Sequence, residues 1–392
     1  MHRFNRGEWS ELYAFAKILC EGRVYAADEN VQKIKDIYFP VLKLLRKETE
    51  DNIIEYYPGE KVKVFRNNIL LEEISKTSFE NDVNSFCESI FKGGDNDGAF
   101  YIPSVEGFID SMHISKVKAS SSDKADITMQ IHDINTGYSP IVGFSVKSDA
   151  GSPPTLLNAG KNTRFYFEVK RCNDKIMNCF NSISKENCKD YMVERMQYLA
   201  SQDIDLIYSH MDSEIYEDNL ILIDSNMPAI FAELLLNSYR YSYAKVVDIE
   251  TLTALTAYEN KFNYRNKEVY RHKVKKLLCA SALGMTPGKM WDGTDAASGG
   301  YIIVKRDGDV LCYHLYNRNF FEEYLIRNTK TDRPSASRFD FGYIYKENMD
   351  YFIALNNTIR FKSISAASKE IDVSNERITS LFNRIHKLER IK

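Results

Sequence analysis

The apolar positions of this chain change period several times along its length. In residues 8–20, EWSELYAFAKILC, Trp9, Leu12, Tyr13, Ala16 and Cys20 recur at helical spacing on one face. Glu11, Phe15 and Ile18 share the opposite side, so Glu11 does not lie on a plainly solvated face. Residues 31–47 read as another helix broken at Pro40, residues 61–73 as a strand then a turn, and residues 79–92 as a helix. From about residue 100 to 170 the pattern becomes short apolar runs divided by Ser, Asp, Gly and Pro. ADITMQIHD, PIVGFSVKS and RFYFEVK are three strand-like pieces, and INTGYSP is a natural hairpin connection between the first two. Helical patterns return at about 190–200 and 228–258. GGYIIVKRDGDVLCYHLYN (299–317) reads as a hairpin around Arg306-Asp307-Gly308-Asp309. Strand-like sequence follows at 341–346 and 350–361, and the last 30 residues are helical.

This alternation predicts an α/β fold with a mixed β-sheet flanked by helices. It divides into a mainly helical region (1–100), a core (101–200), a helical region that turns basic near its end (201–290), a β-rich region (291–362) and a helical tail (363–392).

Composition narrows the class. The 392 residues are 44% hydrophobic and 27% charged, a globular balance long enough for two or three cores. A net charge of -3 announces no global nucleic-acid affinity, but local basic patches on an acidic remainder would suppress indiscriminate binding. No run of about 18 apolar residues is present to span a membrane, and MHRFNRGEWSEL lacks the apolar core of a signal peptide. The seven cysteines, an odd number, read as reduced cytosolic thiols. Cys172, Cys179 and Cys188 are spaced too widely for a Cys-x-x-Cys zinc site.

Candidate chemistry centres on GFSVKS (143–148). Phe144 and Val146 point one way, Ser145 and Lys147 the other. A lysine on a largely buried strand needs a partner. Asp126 lies where a Ser-rich loop becomes the preceding strand, and the hairpin brings the two strands side by side. An Asp opening one strand and a Lys on its antiparallel neighbour is the arrangement of the PD-(D/E)xK nuclease core. In that core, carboxylates hold a divalent metal and a lysine lies beside the attacking water. Phosphodiester hydrolysis suits these residue types: a hard cation prefers oxygen ligands, and a fixed positive charge stabilises the charge that develops on phosphate. Ser145 stands where an acid is usual, two residues before Lys147.

Several long segments, in order, resemble one family. NRGEWSELYAF, VYAADEN, KADITMQIHD, GFSVKSDAGSPPTLLNAGKNTRFYFEV, LGMTPGKMWDGTDAASGGYIIVKRDGDVLCYHLYN and DFGYIY together look like the HpaII family of type II restriction endonucleases, from about residue 5 to 362. The resemblance implies a bacterial, cytoplasmic enzyme that uses Mg²⁺ to cleave short palindromic sites, such as CCGG, in double-stranded DNA. It also implies a methyltransferase that protects the same site, and a palindrome suggests a homodimer. Carried onto this chain, it implies Asp126 as metal ligand, Lys147 as the charged group beside the nucleophile, and Ser145 in place of the middle acid. Glu11, with Glu168 as rival, would restore the second carboxylate. Asp133, seven residues after Asp126, would face away on a regular strand.

Candidate DNA contacts are Arg164, Lys305, Arg306, Arg271 and Arg338. Arg271 belongs to KFNYRNKEVYRHKVKK (261–276), which could track a phosphate backbone or be a solvated basic helix. The apolar helix SNMPAIFAELLLNSYRYSYA (225–244) reads as core, or else as a dimer surface. Finally, ISAASKEI, a turn at Asp372-Val373-Ser374 and the stripe Ile378, Leu381, Phe382, Ile385 and Leu388 resemble the helix-turn-helix of LysR-type regulators. Arg377, Arg384 and Lys387 would face outward. The alternatives are a helical hairpin packed on the body or on a second subunit and, for the whole chain, a non-catalytic DNA-binding regulator.

Overall fold

The computed structural model describes residues 2–49, 52–92, 98–114, 125–134, 136–149, 151, 153–363 and 373–390. In chain order, the elements open with β1 (Arg3–Phe4), α1 (Arg6–Glu21), β2 (Arg23–Ala27), β3 (Lys33–Thr49), β4 (Asn52–Tyr57), β5 (Lys61–Arg66), β6 (Ile69–Ser75), α2 (Lys76–Lys92), β7 (Phe100–Tyr101) and α3 (Glu106–Ser111). They continue with β8 (Ile127–Ile131), β9 (Ile141–Ser148), β10 (Thr155–Leu157), β11 (Phe165–Val169), α4 (Asp174–Ser182), α5 (Tyr191–Ser201), β12 (Leu206–Met211), α6 (Glu214–Ile223), α7 (Met227–Arg240), α8 (Ile249–Glu259) and α9 (Glu268–Leu283). Then come β13 (Gly300–Val304), β14 (Val310–His314), α10 (Arg318–Asn328), β15 (Thr329–Asp332), α11 (Ala336–Phe339), β16 (Ile344–Glu347), β17 (Asp350–Leu355), β18 (Thr358–Phe361) and α12 (Asn375–Arg390). The α/β class expected from the sequence is the class observed.

These elements form two compact units that interleave along the chain. The first comprises Met1–Pro154, Asp295–Tyr324 and Ser363–Ser368, and the second Thr155–Thr294, Leu325–Lys362 and Lys369–Lys392.

The first unit is built on one mixed sheet, ordered β2-β14-β13-β9-β8-β3-β4-β5-β6. β2 also pairs antiparallel with β3, so the first six strands close on themselves and β4–β6 extend from the closure. Closure removes the free edges that an open sheet would carry there. β13 runs parallel to β9, and β14 parallel to β2. α1 starts at an Asn5 capping box with Glu8 and stops at Gly22, in left-handed conformation. Its apolar residues join Phe144, Val146, Ile302, Val304 and Cys312 in one core. Trp9 is fully buried in edge-on contact with Phe4 and Phe86, and its indole N–H donates to the Phe100 carbonyl at 3.2 Å.

Two expectations are corrected here. Residues 31–47 are not a helix but most of the 17-residue strand β3. Ile34, Ile37, Val41 and Leu44 imitate helical spacing, but pairing on both sides decides the conformation. β3 pairs with β2 as far as Pro40 and, from Val41 onward, with β8 and then β4. Pro40 lies at the end of the β2 pairing, where a missing N–H does least harm. For the same reason the region 1–100 is not mainly helical, since it supplies β1–β6 beside α1 and α2.

The second unit has two smaller sheets, β12-β11-β17-β16 and β10-β18-β15, with helices packed on them. α7 (within the predicted 225–244 stretch) is core, with Ile230, Leu234, Leu236 and Tyr239 essentially inaccessible. In the tail, the Ser374 hydroxyl accepts from the Arg377 N–H at 3.3 Å at the start of α12. α12 packs on α5 and α8 through buried Ile378 and Leu381, and Phe382 lies against Tyr258. ISAASKEI and Asp372, the rest of the expected motif, lie outside the described residues.

Candidate active site

The strands that carry the predicted site are adjacent. β8 and β9 pair antiparallel with Ile127 opposite Phe144, which sets Asp126 beside the start of Ser145-Val146-Lys147. The Asp126 N–H donates to the Phe144 carbonyl at 2.8 Å, fixing the aspartate where the β8 ladder begins. Gly143 permits this approach: a Cβ there would meet the Ala125 Cβ at 2.5 Å. A glycine inside a strand marks such close contacts.

A chain of hydrogen bonds follows. The Val146 N–H and the Ser145 hydroxyl both donate to Asp126 Oδ2, at 2.7 and 3.1 Å. Lys147 Nζ donates to Ser145 Oγ at 3.1 Å. The serine thus receives from the ammonium and gives to the carboxylate. Because both bonds to Asp126 use Oδ2, Oδ1 takes part in neither. On the other side β13 runs parallel to β9 with Tyr301 opposite Ser145, and the Lys147 ammonium lies 5.3 Å from the Tyr301 ring centroid. Burial pushes the Lys147 ammonium below its ordinary pKa, while the charges of Asp126 and then Glu11 pull the other way. Glu11 reaches the site from α1, which packs on β9. Its immediate neighbour on that helix, Ser10, accepts a hydrogen bond from the Ser148 hydroxyl at 2.8 Å. Tyr301, Ser10 and the Val146 N–H carried no sequence signal, since only strand order and helix packing bring them here.

The remaining candidates have partners of their own. Glu168 belongs to the second unit, on β11, ion-paired with Lys170. Asp133 is buried in the β8–β9 turn, where it accepts from the Thr136 hydroxyl at 2.7 Å. Arg164 is buried, donating to Asp212 at 2.7 Å and to the Asp340 carbonyl at 3.0 Å. Arg271 is ion-paired with Glu250 at 2.8 Å. Nearby Lys261 and Lys273 pair with Glu233 and Asp224, so much of the basic 261–276 stretch is engaged within its own unit. Lys305 pairs with Asp307 at 2.8 Å in the β13–β14 turn. Arg306 is exposed there, with its Nε donating to the Asp149 carbonyl at 2.9 Å. Arg338 lies on α11 against Phe339. Among the described residues no group of three or more His, Cys, Asp or Glu converges to hold a metal. No single described helix is long and apolar enough to cross a membrane.

Comparison with known proteins decides the family. The HpaII restriction endonuclease family profile matches residues 5–361. The chain belongs to the HpaII restriction endonuclease family. The type II restriction enzyme HpaII of Haemophilus parainfluenzae is 40% identical over 369 residues, covering 91% of this chain and 98% of that enzyme. Membership makes this chain a type II site-specific deoxyribonuclease acting on double-stranded DNA. The HpaII profile ends at residue 361, close to the end of the resemblance read from the sequence. No solved structure matches the chain significantly.

Proposed function

We propose that this enzyme hydrolyses phosphodiester bonds in a PD-(D/E)xK-type site made by Asp126, Lys147 and Glu11, with Ser145 in the position of the middle acid. The observation that carries the reading is the unbroken Asp126–Ser145–Lys147 chain across two adjacent strands. The donor set fits Mg²⁺. That ion keeps several waters and is commonly bound through one or two carboxylates, here Asp126 and Glu11. When bound it polarises phosphate and acidifies water. Asp126 presents a carboxylate held rigid by two donors. Ser145 holds the Lys147 ammonium in place, and the ammonium stabilises negative charge at the reacting phosphate. Glu11 is favoured over Glu168 because its charge acts on Lys147.

The family resemblance supports a short palindromic target such as CCGG, a symmetric dimer and a methyltransferase guarding the same sites in a bacterial cytoplasm. Exposed Arg306, Lys305 beside it, and Arg338 remain candidates for DNA contact.

The test is digestion of methylated and unmethylated plasmid with Mg²⁺ or with EDTA. It compares wild type with Lys147→Ala, Glu11→Gln and Glu168→Gln. Discrete fragments are expected with Mg²⁺ alone, formed at least about a hundredfold more slowly by Lys147→Ala, strongly reduced by Glu11→Gln and retained by Glu168→Gln. Their ends give the recognition sequence. Undiminished cutting by Lys147→Ala would overturn the assignment, and loss with Glu168→Gln but not Glu11→Gln would reverse the choice of carboxylate.

A further inference from the structure

A second feature of the first unit is unused by this chemistry. The C-terminal half of α1, the start of α2, and strands β2 and β3 enclose a concavity of about 510 Å³. Five cationic side chains line it: Lys17, Arg23, Lys33, Lys35 and Lys76. Only two carboxylates, Glu21 and Glu80, oppose them there. Lys17 is engaged by Glu21 at 3.0 Å and Lys33 by Asp309 at 2.7 Å. Arg23, Lys35 and Lys76 are exposed and pair with no carboxylate among the described residues. Arg23 is instead held over the Tyr38 ring at 5.1 Å, which fixes its direction without neutralising it. On a chain with net charge -3, such an excess of uncompensated cations in one hollow is a local reversal of sign.

We propose that this hollow is a clamp for duplex DNA phosphates flanking the cleavage site. The proposal rests on the nuclease reading and adds where the backbone is held. Lys17 lies seven residues after Ser10 on α1, hence on nearly the same helical face and about 10 Å further along the axis. Ser10 touches Ser148, next to Lys147. A strand of duplex carries one phosphate per roughly 3.4 Å of rise. A separation of about 10 Å along a backbone corresponds to on the order of three nucleotides from the reacting phosphate. Contacts of this kind read no sequence, so the clamp raises affinity for any duplex and sets the path of the flanking backbone.

The test is equilibrium binding of duplexes, with and without the target sequence, in EDTA over a salt series. It compares wild type with Arg23→Gln/Lys35→Gln/Lys76→Gln and with an equal charge change elsewhere, Lys175→Gln/Lys185→Gln/Lys189→Gln. Each lost phosphate contact lowers the magnitude of the slope of log affinity against log salt by about 0.9. The clamp variant is expected to lose about 2–3 from that slope and to weaken target and non-target binding alike. The control triple is expected to keep the wild-type slope. A folded clamp variant with an unchanged slope, or two triples that behave alike, would overturn the clamp. Failure of the nuclease reading is seen separately, as wild type that binds with a normal slope but does not cut with Mg²⁺.

Discussion

Ser145→Ala is the most informative perturbation of this site. It removes the hydroxyl that receives from Lys147 and gives to Asp126, each at 3.1 Å, while Asp126 keeps the 2.7 Å bond from the Val146 N–H. The metal-side carboxylate should therefore stay near its place, and the ammonium should lose its tether. A hydrogen bond to a charged group is worth about 1.5–3 kcal/mol, or roughly 10- to 150-fold in rate if it is fully needed in the transition state. Removing the charge itself by Lys147→Ala should cost more, about 10²- to 10³-fold by analogy with other donors aimed at developing negative charge. If Ser145 acts only by holding Lys147, the double variant should be no slower than Lys147→Ala alone. Independent roles would instead multiply. The assay is single-turnover cleavage of a short duplex at saturating enzyme and Mg²⁺, with urea unfolding run alongside. Ser145 is buried, so about 1 kcal/mol of stability should also be lost. Wild-type cleavage by a folded Ser145→Ala enzyme, or multiplicative losses in the double variant, would refute the tether.

Two further outcomes follow from the same unit. His314 is buried between Phe39 and Phe144, and burial pushes its imidazole down to about 4. The folded state then refuses a proton that the unfolded chain accepts below about pH 6.5, so stability should fall as pH drops from 6.5 to 4. The full difference is about 3 kcal/mol, and His314→Asn should flatten this dependence in urea titrations at pH 4.5 and 7; an unchanged dependence would exclude His314 as its source. Gly143→Ala should push Ala125 and its neighbour Asp126 out of register, lowering stability by about 1–3 kcal/mol and cleavage further. Because the clash is with the Ala125 Cβ, Ala125→Gly should restore both, and failure to do so would place the damage elsewhere.

The sequence by itself determined the family, and with it the activity, because long ordered segments from residue 5 to 362 carry more information than any single motif. It also determined the local elements whose patterning agrees with their surroundings. The β8–β9 hairpin, the β13–β14 hairpin and α1 all form where their apolar patterns place them, although only β8 buries alternate residues as its rhythm predicts, while β13 and β14 are buried on both faces and α1 nearly all round. The juxtaposition of Asp126 and Lys147 was legible for the same reason, since a short hairpin leaves little freedom in register. Only the tertiary structure decided the rest. The spacing of β3 suits a helix as well as a strand, and neighbours far along the chain on both sides settled it. β13, some 150 residues after β9, slides in parallel beside it and brings Tyr301 under Lys147, and no local pattern encodes such a pairing. Helix packing likewise brings Glu11 to bear on Lys147 and leaves Glu168 paired with Lys170 in the other unit. A carboxylate's reach depends on what the chain folds against, and a one-dimensional pattern records only which face it leaves from.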